Sequence, residues 1–347
     1  KLKLDYPRTE KTKEPSFTQN WLINNKNKIA QLIVSAREIN KFHGTFLSSI
    51  MKYQVNGRIH AEINQLRGDN GGTVSGRLSM SNPNLQQVPA RNKDFGPKIR
   101  SLFIPEDGYK WGSFDYSQQE PRMTVHYAAS IGEGYEGSNE LVQAYQNSEA
   151  DFHQTVADLV GIERTQAKTI GLGLMYGMGK QKLAISLGVS KDEANELIIK
   201  YNKKVPFVKK LSDRCKYAAD EKGVIRTKKG RKCRFDMWET RDFGLHIAEK
   251  YEDAVAKYGK DNIKRAFTYK ALNRLIQGSS ADQTKQSMLD CYKDGHLPML
   301  QIHDELCFNI KDDKHAKQIQ KIMQNSIKFK VPSVVDYGLG ESWGDAK

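Results

Sequence analysis
The sequence predicts an α+β fold, and three observations carry that expectation. Residues 111–116 (WGSFDY) combine aromatic residues with period-2 alternation, as a strand does, and bring an acidic residue, Asp115, to the strand end. Residues 299–310 (MLQIHDELCFNI) place two apolar runs on either side of His303-Asp304-Glu305, the pattern of an antiparallel hairpin with Asp304 at its tip. Much of the remaining chain carries apolar residues at helical spacing. The 347 residues suffice for two or three subdomains around a sizeable core, and no apolar run approaches a membrane span. With 55 Lys and Arg against 41 Asp and Glu, the formal net charge is +14, the footprint of a polyanion partner, although a ribosomal or membrane-surface protein would share it. Cys215, Cys233, Cys291 and Cys307 are too scattered for Cys-x-x-Cys pairs or a zinc site and read as reduced thiols, and the first residues lack a secretory pattern.

In chain order, residues 1–16 are polar, with Pro7 and Pro15, and read as a loop. Residues 17–51 are helical by spacing, interrupted only at Gly44, and residues 53–103 are rich in Asn, Gln, Gly and Ser, as strands and tight loops are. After the 111–116 strand, Ser117-x-x-Glu120 has the form of a capping box, which could do no more than start a helix. A Gly-rich loop at 132–138 leads into one helix over about 140–159. Residues 164–183 read as a single helix in which Arg164, Lys168, Leu172 and Tyr176 recur every fourth residue as one stripe. Gly171, Gly173 and Gly177 would each cost about 1 kcal/mol in that helix, a penalty that signals close approach of another surface. Ser190 and Glu193 form a second capping box, opening a helix that Pro206 ends. Residues 207–221 are helical again, 223–235 form a basic hairpin turning at Lys229-Gly230, and 241–269 are charged and helical.

Carboxylates from two strands can bridge two Mg²⁺ ions roughly 3.5–4 Å apart, one activating a hydroxyl and one steadying a leaving oxygen. The helix stripe, about 18 Å long, could lay two cations on a triphosphate and an apolar and an aromatic side chain on a sugar and base.

These stretches resemble motifs of the DNA polymerase I family, or family A: DYSQQEPR its motif A, RTQAKTIGLGLMYG its motif B and QIHDEL its motif C, in the same order. TVSGRLSMSNPNLQQVP (73–89) resembles the stretch ahead of motif A, and GESWGDAK the family's C-terminus. The resemblance implies a right-hand polymerase with an antiparallel palm sheet, helical fingers and a partial thumb. The thumb remnant would be 1–50, the palm 51–125 and 261–347, and the fingers 126–260 with the motif B helix at 164–179. It implies template-directed addition of deoxynucleotides to a primer 3′-OH, with Asp115 and Asp304 as ligands of two Mg²⁺ ions (Mn²⁺ as an alternative) and Glu305 in support. Lys168 is then catalytic. Arg164, Lys168, Leu172, Tyr176, His153, Glu120 and Gln118 would meet the nucleotide, Glu120 by blocking a ribose 2′-OH. Lys41, Arg77, Asn84, Gln86, Gln87, Asn273, Gln277 and His303 would meet DNA. For Lys41 the alternative is a solvated helix face, for His153 a structural histidine, and for Gln86 and Gln87 a polar loop. The implied partners are primer-template DNA and deoxynucleoside triphosphates, with no membrane, and the chain is expected to act as a monomer in the cytoplasm of a bacterial or phage-infected cell, or in an organelle.

The chain departs from the family pattern at Gln119 and Pro121 beside Glu120, at Gly171 and Leu172 in motif B, at Tyr269 where Arg is frequent, and in an insertion expected within 241–269. A single-subunit RNA polymerase is a rival reading, which Glu120 opposes. A catalytically silent DNA-binding relative is another, for which loss of a metal carboxylate would be expected.

Overall fold
The computed structural model describes residues 6–9, 12–68, 71–89, 92, 94–147, 151–242, 244 and 246–346. Residues 1–5 and 10–11 of the opening loop lie outside them. The chain divides into two compact units, residues 1–62 with 80–102 and residues 63–79 with 103–347.

In the first unit, helices Gln19–Asn24 and Lys28–Lys41 run into a π-helical segment, Phe42–Ser48, and a last turn, Ser49–Lys52. The interruption falls at Asn25–Asn27 and not at the expected Gly44. Asn27 accepts from the Ile29 N–H at 2.9 Å and restarts the helix, whereas Gly44 lies inside the π segment. Phe42 stacks on Phe95 at 4.3 Å, fastening this helical run to the later part of the same unit.

The second unit is built on a four-stranded antiparallel sheet in the order Leu300–Ile302, Glu305–Ile310, Lys110–Tyr116, Val335–Gly340. Alternation gives the sheet two chemistries. One face presents Phe114, Tyr116, Leu306, Phe308, Ile310 and Val335 to Cys291, Ala316, Ile319 and Met323 of helices Ala271–Lys293 and Asp313–Asn325. Burying each larger apolar side chain there is worth about 1.5–3 kcal/mol. The Tyr116 hydroxyl donates to the Met323 carbonyl at 2.6 Å and lies 2.6 Å from Ser287 Oγ, so this polar tip within the apolar face is satisfied. The opposite face carries Trp111, Ser113 and Asp115. Trp343, fully buried, stacks near Trp111 with ring centroids 6.1 Å apart.

A second core gathers Met123, Phe152, Ile170, Leu183, Tyr201 and Phe207 from a succession of helices. Three expectations need correction here. The helix expected over 140–159 is two helices, Ser138–Asn147 and Phe152–Val160, because Asp151 caps the second through the N–H groups of His153 and Gln154. The helix expected over 164–183 ends at Met175 and resumes at Lys180: Tyr176 is its C-cap, and Gly177 takes φ +69°, which only glycine adopts freely. Among the described residues of 241–269, the α-helix covers only Tyr251–Tyr258, with short 3-10 turns at Lys260–Asn262 and Thr268–Lys270; Trp238–Thr240 and Ile263–Arg265 pair as strands. High charge content without a clear period does not separate these states. Other local signals hold. Ser190 and Glu193 form both capping-box bonds, Pro206 takes the first position of the next helix, and the basic hairpin pairs Val224–Arg226 with Lys232–Arg234.

Candidate active site
The sheet register places acidic residues side by side. Glu305 faces Asp115 from one neighbouring strand and Asp336 faces it from the other, so three carboxylates stand in one row on the face opposite the apolar core. Directly opposed like charges destabilise an antiparallel pair. Partial burial, then the carboxylates of Asp304, Glu305 and Asp336, push the Asp115 carboxyl up to about 7, against a lowering by the Tyr116 backbone N–H. Asp304 follows His303, whose φ of +55° makes the tight turn between the two hairpin strands. Burial raises Asp304 as well, while its own backbone N–H, Arg77 and His303 pull it back. Glu305 is held from behind: Trp343 Nε1 donates to its Oε1 at 3.2 Å and the Cys307 thiol at 3.5 Å. Among the described residues no group of three or more His, Cys, Asp or Glu side chains is arranged as a closed metal site. Hard carboxylate oxygens that repel one another nevertheless suit Mg²⁺, which is usually held by one or two carboxylates together with substrate phosphates.

Glu120 does not close a capping box with Ser117. The helix Gln119–Ala129 has Gln118 as its N-cap, in a left-handed conformation at φ +51° and without a side-chain cap bond, and the Ser117 N–H is spent on the Val334 carbonyl. The Glu120 carboxylate instead receives Arg77 Nη2 on Oε1 at 2.7 Å and the Tyr176 hydroxyl on Oε2 at 2.6 Å. Gln277 also hydrogen-bonds Tyr176, so one chain of contacts joins Arg77, Glu120, Tyr176 and Gln277. Burial and then Glu120 hold the Tyr176 hydroxyl well above its usual range, so it stays a donor.

The helix Arg164–Met175 turns its expected stripe outward. Arg164, Lys168 and Tyr176 are exposed and Leu172 half-buried, while Ala167, Ile170, Gly171, Gly173 and Met175 face the core. The glycines are explained by close neighbours. A Cβ on Gly171 would lie 3.1 Å from the Tyr201 hydroxyl, and on Gly177, outside the helix, 3.0 Å from the Tyr269 ring. His153 is buried beside this edge with Nδ1 unpaired. Burial lowers its pKa to about 4, Lys168 and Arg164 add to that, and Asp151 opposes it.

Set beside known proteins, the sequence matches the family described as DNA polymerase family A over residues 1–345. The chain belongs to DNA polymerase family A. It is 36% identical over 378 residues to a DNA-directed DNA polymerase of Pseudomonas phage M6, covering 95% of this chain and 54% of that protein. It is 32% identical to DNA polymerase I of Synechocystis sp., covering 100% of this chain and 36% of the relative. The chain therefore spans about half or less of the length of these two relatives. Among solved structures, the POL domain of Pol1 from M. smegmatis, in complex with DNA primer-template and dNTP, superposes with a TM-score of 0.78 at 26% identity, over 99% of this chain and 59% of that one. The α+β polymerase fold expected from the sequence is thus the fold of this family A chain.

The other expected site residues divide between the two units. Lys41, Asn84, Gln86 and Gln87 belong to the first, where Asn84 caps the short helical turn Leu85–Gln87 through the Gln86 N–H. Lys41 is exposed on its helix. Asn273 and Gln277 lie one turn apart on Ala271–Lys293, both half-buried, and His303 is exposed on the hairpin turn. Gln118 Oε1 accepts from the Phe152 N–H at 2.9 Å and the Tyr145 hydroxyl at 3.2 Å, tying the strand end to the helix that bears His153. Asp336 was not among the residues expected at the site. Its strand had a readable signal, since Val335, Tyr337 and Leu339 alternate with Asp336, Gly338 and Gly340, but its place beside Asp115 comes from register.

Proposed function
We propose that this chain catalyses template-directed addition of deoxynucleotides to a primer 3′-OH, with release of pyrophosphate. The observation that supports it most is the acidic row at the sheet end, in one unit with the Arg77–Glu120–Tyr176 contacts that lead to the Arg164–Lys168 helix edge. Asp115 and Asp304 would hold Mg²⁺, with Glu305 in support. Two Mg²⁺ ions, or Mn²⁺, supply activation of the primer hydroxyl and stabilisation of the leaving oxygen when bound. Lys168 and Arg164 neutralise the triphosphate, and Lys168 passes a proton to the departing pyrophosphate. His153, neutral near pH 7, offers a hydrogen bond without a charge. Leu172 and Tyr176 meet the sugar and base, and Glu120, held in place from two sides, blocks a ribose 2′-OH. Arg77, Asn273, Gln277 and His303, with Lys41, Asn84, Gln86 and Gln87, meet the primer-template. Residues 1–50 act as the thumb remnant, 51–125 and 261–347 as the palm, and 126–260 as the fingers of a monomer working in the cytoplasm of a bacterial or phage-infected cell. Primer extension on a defined template with Mg²⁺ tests the reading. Incorporation of the template-matched deoxynucleotide is expected; no extension, untemplated extension or a preference for ribonucleotides would overturn it.

A further inference from the structure
We propose that Asp151 is an internal stand-in for the nucleotide's phosphates, holding the guanidinium edge of Arg164 until a triphosphate takes it. The proposal rests on the reading of Arg164 as a triphosphate contact. Asp151 divides its two oxygens between two tasks. Oδ1 accepts the His153 and Gln154 N–H groups at 2.9 and 3.2 Å, which starts the helix Phe152–Val160. Oδ2 receives Arg164 Nε at 2.7 Å and Nη2 at 2.6 Å. That Nε/Nη2 edge is a surface with which a guanidinium takes a phosphate, so carboxylate and phosphate compete for it. The surroundings suit exchange. Arg164 and Asp151 keep side-chain exposures of 46% and 31%, so the pair can part without stranding a buried charge. Lys168 and the neutral His153 lie within electrostatic reach of the same place, so Arg164 and Lys168 leave a cationic cradle, with an imidazole beside it, once the carboxylate lets go. Partial burial alone would raise the Asp151 carboxyl; the Arg164 hydrogen bond, the Gln154 N–H, the Arg164 charge and the His153 N–H outweigh it and hold the group ionised. A ligand with too little negative charge would not displace it, so Asp151 favours triphosphates over less charged nucleotides.

The substitution Asp151→Asn isolates the effect, because Asn caps a helix as well as Asp but cannot pair with Arg164 as a charge. The test is the deoxynucleotide Kd of the full chain bound to a dideoxy-terminated primer-template, with inorganic triphosphate as a second probe. D151N should tighten both about two- to five-fold, the worth of releasing a partly exposed ion pair. In an Arg164→Ala background the same change should do nothing. Unchanged or weaker binding by D151N, or equal tightening without Arg164, would overturn the stand-in role. R164A with unaltered Kd would instead overturn the placement of Arg164 itself. Asp151→Ser, also a good cap, gives the same comparison if D151N melts early.

Discussion
At the acidic end of the sheet, Glu305, Asp115 and Asp336 stand on adjacent strands whose register fixes them together, whereas Arg164 and Lys168 stand on an open helix edge with a carboxylate, Asp151, against the first of them. The difference is one of rigidity. A strand row cannot splay without breaking ladder hydrogen bonds, so its repulsion persists and adds to burial in raising Asp115. The helix edge stores little, because long exposed side chains swing apart and solvent screens them. One region is therefore held fixed, while the other is free to change partners.

The largest expected effect breaks the acidic row. Asp115→Ala or Asp304→Ala should abolish extension, a loss of about 10³-fold or more, with primer-template affinity nearly intact because phosphate contacts supply most of it. Extension at near the original rate would remove both from the catalysis. On the helix edge, Lys168→Ala should weaken nucleotide use and slow chemistry together, by about 10²-fold in single-turnover rate. If only DNA affinity fell, Lys168 would be a backbone contact.

Leu172→Tyr probes what the same edge faces. A Tyr hydroxyl could replace the missing 3′-OH of a dideoxynucleotide, which Leu cannot. Competitive incorporation should shift toward the dideoxynucleotide by about one to two orders of magnitude, the worth of a hydrogen bond to a charged group. Identical ratios would mean that the stripe does not face the sugar. Glu120→Ala should raise ribonucleotide relative to deoxynucleotide incorporation by about tenfold. Tyr176→Phe, which loses the 2.6 Å bond but keeps the bulk of both side chains, should move that ratio less. An equal shift in the two variants would make orientation, not bulk, the basis of discrimination.

The smallest effect sharpens the comparison through pH. A carboxyl raised to about 7 in the fold, from 3.8 when unfolded, binds more protons folded than unfolded within that window. Its stabilising contribution is full below pH 3.8 and is lost as pH rises through 7. In EDTA, Asp115→Asn should therefore raise Tm over the parent more at pH 8 than at pH 5. A gain independent of pH would mean that burial and the neighbouring carboxylates together do not raise Asp115.

Much of this was legible where the physics is local. The 111–116 strand, the 299–310 hairpin, the Ser190 capping box and the helix end before Pro206 each rest on a few neighbouring residues. The outward stripe of the Arg164 helix was readable from its period, but its end was not, since a Gly that turns a chain and a Gly that permits close packing look alike in sequence. Ser117-x-x-Glu120 misled because its backbone was committed to the Val334 carbonyl, more than two hundred residues away. Asp336 was illegible because it owes its place to register, and Asp151 because a helix start fell inside what read as continuous helix.

The buried Trp343, stacked near Trp111 and bonded to Glu305, gives the molecule an optical readout of its own acidic row. Of the four tryptophans, Trp21 and Trp238 are only half-buried, whereas these two are shielded and should emit at shorter wavelength. With Trp21 and Trp238 replaced by Phe, the fluorescence of the remaining pair would follow Glu305 through a single hydrogen bond, so that whatever engages the carboxylates could be titrated without dye, label or turnover.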